Sequence, residues 1–230
     1  IAAFLIVCCY VSFSQSTDGV KKFNVKSLVQ QAQVQKTDWI KFLDEETVFA
    51  GVYLLKAGQK DDQPIHEYDE VYYVVAGESD FEAEETKIKI TPGKIIFVKA
   101  GVDHHFLKIT KDLELLVLFS KAKTGPKKIT AEEFNTTELV KVGKPNENSW
   151  NPFVNKATMS FGLYQLPKAL GGDSTLVHKW DEINFVTKGA GKFSVNGKDM
   201  DVSIGDIVYV KKGLGHYFHS LTSDFDVLIL

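Results

Sequence analysis

The chain repeats itself, and this limits its folds more than any other feature. His66-Glu-Tyr-Asp-Glu70 returns as His178-Lys-Trp-Asp-Glu182, at a numbering offset of 112. The same offset carries Gly77 to Gly189, Phe81 to Phe193, Gly93 to Gly205, Gly101 to Gly213, His104 to His216 and Leu118 to Leu230. Residues 66–118 therefore align with 178–230 without a gap, at 17 identities in 53 positions, and pairs such as Val71/Ile183 and Phe97/Tyr209 are conservative. Upstream, Gly51-Val-Tyr53 matches Gly162-Leu-Tyr164 at an offset of 111, which implies one inserted residue in the second copy. Self-similarity at a fixed period sets the architecture before any single motif does. The chain must fold as two versions of one unit.

Each copy reads as short strands. Asp69–Val75, Lys87–Ile90, Lys94–Val98 and Leu113–Phe119 are rich in β-branched and aromatic residues and are bounded by Gly, Pro or charged turns. With 16 Phe and 8 Tyr against 2 Met, composition also favours strands over helices. Val195-Asn196-Gly197-Lys198 predicts a tight hairpin, because Asn-Gly accepts the positive φ angles of a type I′ turn. The first copy has Glu84-Glu85 there, so its turn must differ. Evenly spaced short strands predict a small barrel or sandwich per copy. Helical signals fall at the joints: Asn24 can cap a helix, and Thr130-Ala-Glu-Glu133 has capping-box spacing. Lys121–Lys128 reads as a basic, solvated linker.

Charge excludes several partners. Lys plus Arg is 27 against 30 acidic residues, a formal charge of −3, which leaves no footprint for nucleic acid or an anionic membrane. Arg is absent, so the bidentate clamp used for carboxylates and phosphates is missing. The two cysteines, Cys8 and Cys9, are adjacent inside an apolar run from Ile1 to Val11, followed by Ser12-Phe13-Ser14. That run is too short to span a bilayer. It reads as part of a secretory signal peptide over residues 1–14, cleaved after Ser14, with the mature protein secreted or periplasmic.

Six histidines cluster by the repeat. His66, His104, His178 and His216 occupy equivalent positions, and His105 and His219 lie beside or near them, expected to face away. Residues four apart on a strand share a face, so His66 should point with Glu70 and His178 with Glu182. His104 or His216 then arrives from a later strand. Two imidazoles and one carboxylate with open positions suit Fe(II), and other divalent metals accept nearly the same set. By alternation Tyr68, Tyr72, Phe106 and Lys108 accompany the first site, and Trp180, Asn184, Phe218 and Ser220 the second. A Lys on a barrel's ligand face is costly to bury unpaired, so Lys108 pairs with Glu70, reaches solvent or holds an anion. Tyr72 and Lys108 are the catalytic candidates.

These motifs resemble the cupin superfamily, and the whole chain resembles a bicupin. The first family motif is met by Gly58, Pro64, His66, Glu70 and Gly77, and the second by Gly93, Lys99, Gly101, His104 and Lys108. Their counterparts are Leu176, His178, Glu182 and Gly189, then Gly205, Lys211, Gly213, His216 and Ser220. The resemblance implies an all-β fold of two tandem double-stranded β-helix (jelly-roll) barrels. The expected division is 15–120 for the first domain, 121–157 for the linker and 158–230 for the second. It also implies a divalent metal held by His66, Glu70 and His104 and by His178, Glu182 and His216, with Fe(II) favoured and Mn, Ni or Zn as alternatives. The family's first motif His is Pro64 in one copy and Leu176 in the other, which either weakens metal affinity or frees a position for substrate. Two functions follow: a metal-dependent, dioxygenase-like enzyme acting on a small organic molecule, or a non-catalytic ligand-binding or structural bicupin. Expected partners are a small-molecule ligand or substrate, with a homo-oligomer compatible and nucleic acid and a membrane span excluded.

Overall fold

A computed structural model describes residues 15–122, 131–140, 144 and 146–230. The expected signal segment 1–14 and most of the expected basic linker lie outside these residues. In chain order the first half holds β1 (Gln15–Thr17), β2 (Val20–Asn24), α1 (Val25–Gln35), β3 (Trp39–Asp44) and β4 (Val48–Leu55). It continues through β5 (Asp69–Ala83), β6 (Thr86–Ile90), β7 (Lys94–Val98) and β8 (His104–Ser120). The second half holds β9 (Ala131–Asn135), α2 (Thr136–Val140), β10 (Ser149–Asn155) and β11 (Ser160–Leu166). There follow β12 (Glu182–Lys188), β13 (Ala190–Val195), β14 (Lys198–Ser203), β15 (Asp206–Val210), β16 (His216–His219) and β17 (Phe225–Ile229). No helix among the described residues is long and apolar enough to cross a membrane.

The two halves are all-β barrels of one design. In the first, β5 and β8 are long antiparallel partners that run through both layers, with β3-β4-β8-β5-β7-β9 in hydrogen-bonded order and β6 paired to β5. In the second the corresponding strands are each broken in two: β12 and β13 match β5, and β16 and β17 match β8. Bending occurs at equivalent glycines. Gly77 (φ 98°) and Gly189 (φ 83°) carry positive φ, and a Cβ on either would lie 2.3 Å from a carbonyl oxygen, that of Asp112 or Asp224. Only glycine meets both conditions without strain. The two hairpins differ as expected: Asn196 and Gly197 both have positive φ, whereas Glu84 has it in the first copy.

The repeats exchange their opening strands. β2 pairs with β15 of the second barrel, Asp206 opposite Asn24, and β9 pairs with β7 of the first, Lys94 opposite Asn135. Asn24 and Asn135 stand at the offset already seen between Gly51 and Gly162. Each accepts a hydrogen bond from the backbone N–H two positions on, 3.1 Å at Lys26 and 2.9 Å at Thr137. The repeat is therefore longer than its motifs suggest. Two expectations change: β1 and β2, grouped with the first domain, sit on the second barrel's sheet, and the stretch expected to be a joint supplies β9, α2 and β10. The capping-box reading at Thr130 also fails, since Ala131–Asn135 is a strand and the helix begins after Asn135. Pairing with β7 prevails there over the local helical signal.

Alternation along each strand explains the apolar runs. One face fills its own barrel (Tyr72, Val74, Ile96, Val98, Leu115 and Val117 in the first). The other joins a single core shared by both repeats, with Val71, Ile95, Phe97, Leu116 and Leu118 facing Ile183, Phe185, Ile207, Tyr209 and Leu228. Tyr73 and Phe185 are repeat equivalents and touch edge to face at 5.1 Å between centroids, marking a pseudo-twofold contact. Thr158 donates to Asp69 and Thr47 donates to Asp181, the same bond made reciprocally. Such a self-complementary interface is what a twofold relation produces. Because both barrels lean on this core, Phe185→Ala should lower unfolding stability by about 3–5 kcal/mol. Chemical denaturation should still show one transition, and two separated transitions would contradict the shared core.

Candidate metal centre

A turn in the second motif builds each site. Gly101 (φ 76°) donates its N–H to the His66 carbonyl at 2.8 Å, and Gly213 (φ 85°) donates to that of His178 at 2.9 Å. The turn that launches His104 or His216 at the start of β8 or β16 thus also clamps the first histidine. His66 and His178 lie in loops ahead of β5 and β12, not on strands, so strand alternation is not what aligns them with the glutamates. Glu70 and Glu182 lie at or near the start of those strands and point inward, 1% and 4% exposed.

The three ligand types converge in both copies. His66 Nδ1 lies 3.0 and 3.1 Å from the two Glu70 oxygens, and His104 Nε2 lies 3.1 Å from Oε1. In the second copy His178 Nε2 is 3.3 Å from Glu182 Oε2, and His216 Nε2 is 3.1 Å from Oε1. His104 Nδ1 donates to the Val102 carbonyl at 2.9 Å and His216 Nδ1 to the Leu214 carbonyl at 3.0 Å, so each Nε2 is turned to the centre. Backbone anchoring of the distal nitrogen is how proteins fix a ligating imidazole. Within each group the ligand atoms all lie within 4.8 Å of one another. Donors about 2.0–2.2 Å from a Zn-sized cation stand roughly 3.0–3.4 Å apart when adjacent on it. The residues fit a divalent metal.

Electrostatics are shaped by the same contacts. Burial pushes the Glu70 carboxyl up, but hydrogen bonds from His104 and then His66 outweigh it and hold it below 4.5. Glu182 is likewise pushed up by burial and brought below 4.5 by His216. Burial alone would lower the imidazole of His104, yet the Glu70 hydrogen bond and charge raise it above 6.5; His216 is raised in the same way by Glu182.

The neighbours expected at the sites divide. Tyr72 reaches the first one: its hydroxyl is 2.9 Å from His104 Nε2 and 2.9 Å from Gln63 Oε1. Asn184, its repeat equivalent, donates Nδ2 to Glu182 Oε1 at 2.9 Å. Lys108 does not reach the site. Its φ of 48°, matched by 52° at Ser220, breaks the alternation of β8 and turns the side chain outward. It is 81% exposed and pairs with Asp80 at 3.4 Å. Phe106 and Phe218 are buried packing, Tyr68 packs on Phe49, Trp180 is 64% exposed beside His178, and Ser220 bonds His219. His105 and His219 face away, toward Asp103 and Asp199.

Asp61 and Asp173 escaped the sequence reading. They stand at the same offset as the histidines. Each ties a ligand-bearing loop to the barrel by accepting from a backbone N–H, Phe106 at 2.8 Å or Phe218 at 2.6 Å. Each also accepts from a tyrosine, Tyr53 at 2.7 Å or Tyr164 at 3.1 Å. The repeat offset alone could have flagged them. Beside the first centre opens a cavity of about 510 Å³ lined by Trp39, Phe49, Tyr53, Pro64, His66, Tyr72 and Phe119 among others. A smaller one of about 240 Å³ contains His178, Glu182, Asn184 and His216.

Comparison with known proteins agrees with this geometry. Residues 51–119 and 163–230 each match the family described as Cupin domain. An uncharacterised protein of Streptomyces coelicolor is 35% identical over 101 residues, 44% of this chain and 96% of that relative. Among solved structures, a cupin 2 conserved barrel domain protein from Leptotrichia buccalis superposes with a TM-score of 0.65 at 19% identity, covering 83% of this chain and 86% of its own. Salicylate 1,2-dioxygenase from Pseudaminobacter salicylatoxidans gives 0.73 at 11% identity, covering 94% and 84%. At these identities the likeness to the solved structures is one of fold.

The protein reconstituted with zinc should bind two ions per chain, and His104→Ala and His216→Ala should each remove one, read by elemental analysis after desalting. Because an imidazole must be deprotonated to ligate and both histidines sit above 6.5, uptake should begin to fall while pH is still above that value. It should continue to fall as pH drops. Uptake independent of pH between 8 and 5 would contradict the assignment.

Proposed function

The chain belongs to the cupin domain family, and on that footing we propose a secreted or periplasmic bicupin that uses a divalent metal, Fe(II) in preference, in an oxygenase-type reaction on a small organic molecule. The observation that carries the reading is the cavity of about 510 Å³ that opens onto His66 and Tyr72. Cavities of this size and apolar character suit small ligands. Phe49 and Phe119 stack there at 4.2 Å with 6° between planes, and Trp39 and Tyr53 complete an aromatic wall. A flat, largely apolar substrate would lie along those rings, excluding water, while Gln59, Lys60 and Asp62 give polar contacts at the mouth. The metal, when bound, would supply Lewis acidity and a redox partner for dioxygen. Tyr72, whose phenol is held well above its ordinary value by burial and then by the Glu70 charge, stays protonated and can donate to Gln63 or to a group at the centre.

The first centre is assigned the chemistry and the second a structural or separate ligand-binding role. Lys108 takes no part in this, being solvent-exposed; the cavity and Tyr72 carry the distinction. With a substrate in hand, His104→Ala should lower kcat/KM by at least a hundredfold, and His216→Ala should leave most turnover in place. The reverse pattern would move the activity to the second centre.

A non-catalytic bicupin is the second reading, favoured by one fact: the two histidines of each centre already stand 3.0–3.3 Å from its buried glutamate and offset its charge. Metal content of protein purified from its native host separates the two. Near-stoichiometric Fe, Mn, Ni or Zn supports the enzyme, and folded protein free of metal supports the binding role. Export rests on the apolar Ile1–Val11 run and Ser12-Phe13-Ser14. Mass spectrometry of the native protein should find an N-terminus near Gln15, and a retained 1–14 segment would refute cleavage.

A further inference from the structure

A groove of about 510 Å³ opens where the two repeats meet, and its lining includes none of the six His and Glu residues of the centres. Thr47 and Val48 of the first repeat face Thr158 and Met159 of the second across it, and both pairs stand at the offset of 111. The groove therefore straddles the pseudo-twofold. Val48, Met159 and Ile183 are buried and, with Leu230, give it an aliphatic floor. Clefts of this volume suit small ligands. This floor differs from the aromatic wall of the first cavity, so the two openings call for different chemistry.

The rim is cationic on one side only. Lys156, Lys179 and Lys212 line it, where the first repeat has Glu45, Glu67 and Ala100 at the equivalent positions. Lys156 is already committed: it pairs with Glu132 at 2.7 Å and its ammonium lies over the Phe97 ring at 5.2 Å. The other two are not. Lys212 keeps a loose contact with Glu46 at 3.9 Å, and Lys179 has no ion-pair partner among the described residues. Asp181 is the acidic residue of the lining, and each of its oxygens is engaged elsewhere. One accepts from the Thr47 hydroxyl and the other from the Lys212 backbone N–H at 2.9 Å.

We propose that this groove is a second ligand site, for an aliphatic carboxylate whose chain lies along Val48, Met159, Ile183 and Leu230 and whose anionic end lies at Lys179 and Lys212. The floor sets the body of the ligand, because apolar area leaves water there, and the rim sets the sign of its head. An inorganic anion would leave the floor wet, and a neutral chain would leave both ammonium groups without a counter-charge. Lysine meets a carboxylate as a point charge, so the missing arginine fork is no obstacle. The ligand would touch both repeats, and by binding only the folded pair it would stabilise their joint. It would also lie against Trp180, an exposed indole that walls both this groove and the cavity of the second centre. The proposal is independent of metal at either centre.

The probe is octanoate, titrated by calorimetry into the intact protein, with 1-octanol and inorganic phosphate as controls. Octanol should bind about tenfold or more weakly than octanoate, the difference expected for a charge-assisted contact, and phosphate should not displace octanoate. Joint Lys179→Gln and Lys212→Gln replacement should weaken octanoate by a similar factor and leave octanol unchanged. Ala157→Trp, at an exposed position of the lining, fills the groove with both lysines kept and should abolish binding of either. Raising ionic strength to about 1 M, where the screening length is about 3 Å, should weaken octanoate and not octanol. Circular dichroism checks the fold of each variant, and elemental analysis checks that its metal content is unchanged. Octanoate affinity unaltered by both sets of replacements would put the ligand elsewhere and overturn the site. Octanol binding as tightly as octanoate, or displacement by phosphate, would overturn the ligand class. Absence of octanoate binding would refute the proposal and leave the metal centres untouched.

Discussion

Burial of one sheet face of each repeat against the other holds the two barrels together and sets the pattern of every long strand. A strand buried on one side alternates apolar and polar residues; β7 and β15 do not alternate, because both of their faces are covered. The shared core between the barrels takes one set of side chains, and the barrel interior takes the other. Apolar area removed from water is the main favourable contribution to folding, and here a large part of it exists only when the two repeats are together. The exchange of β2 and β9 adds a backbone link in each direction. Each barrel's sheet is therefore extended by a strand from the other repeat.

The candidate metal centres are positioned by that shared framework. A carboxylate buried like Glu70 or Glu182 is expensive unless positive charge or hydrogen bonds surround it. Both are met by two histidines fixed at the turn after β7 or β15 and at the loop before β5 or β12. Asp61 and Asp173 hold those loops against the barrel wall, so that the ligand-bearing segment cannot swing away from the strand that carries the carboxylate. The ordering entropy of the loops is offset by bonds made away from the His–Glu–His groups.

Duplication has kept the ligands and changed what lies beside them. Around the first centre, Tyr72, Gln63, Asp61 and Tyr53 form one hydrogen-bonded chain from a ligand to the wall of an aromatic cavity. Around the second, Asn184 bonds the carboxylate directly and the adjoining cavity is less than half as large. Two centres with one set of His and Glu residues thus open onto cavities of different size and lining without any change in fold.

Residue identity at fixed spacing was enough to reveal the duplication, the β class, the two converging His–Glu–His groups and the turn at Asn196-Gly197. It also revealed the cap of α1 at Asn24, a bond made between near neighbours in the chain. Features that emerge only in the folded molecule involve atoms distant in sequence or a local break in regular geometry. The partners of β2 and β9 could not be read because their sequences are short and mixed, and pairing with the opposite barrel overrides the helical signal near Thr130. Unbroken alternation would place Lys108 on the ligand face, whereas a positive φ at that residue, which nothing in its side chain requires, sends it to solvent. His66 and His178 meet their glutamates because Gly101 and Gly213 hold the loops, not because a strand presents them together. Asp61 and Asp173 lay outside the motifs but inside the repeat, and their role became visible once the barrel brought Phe106 and Phe218 to them.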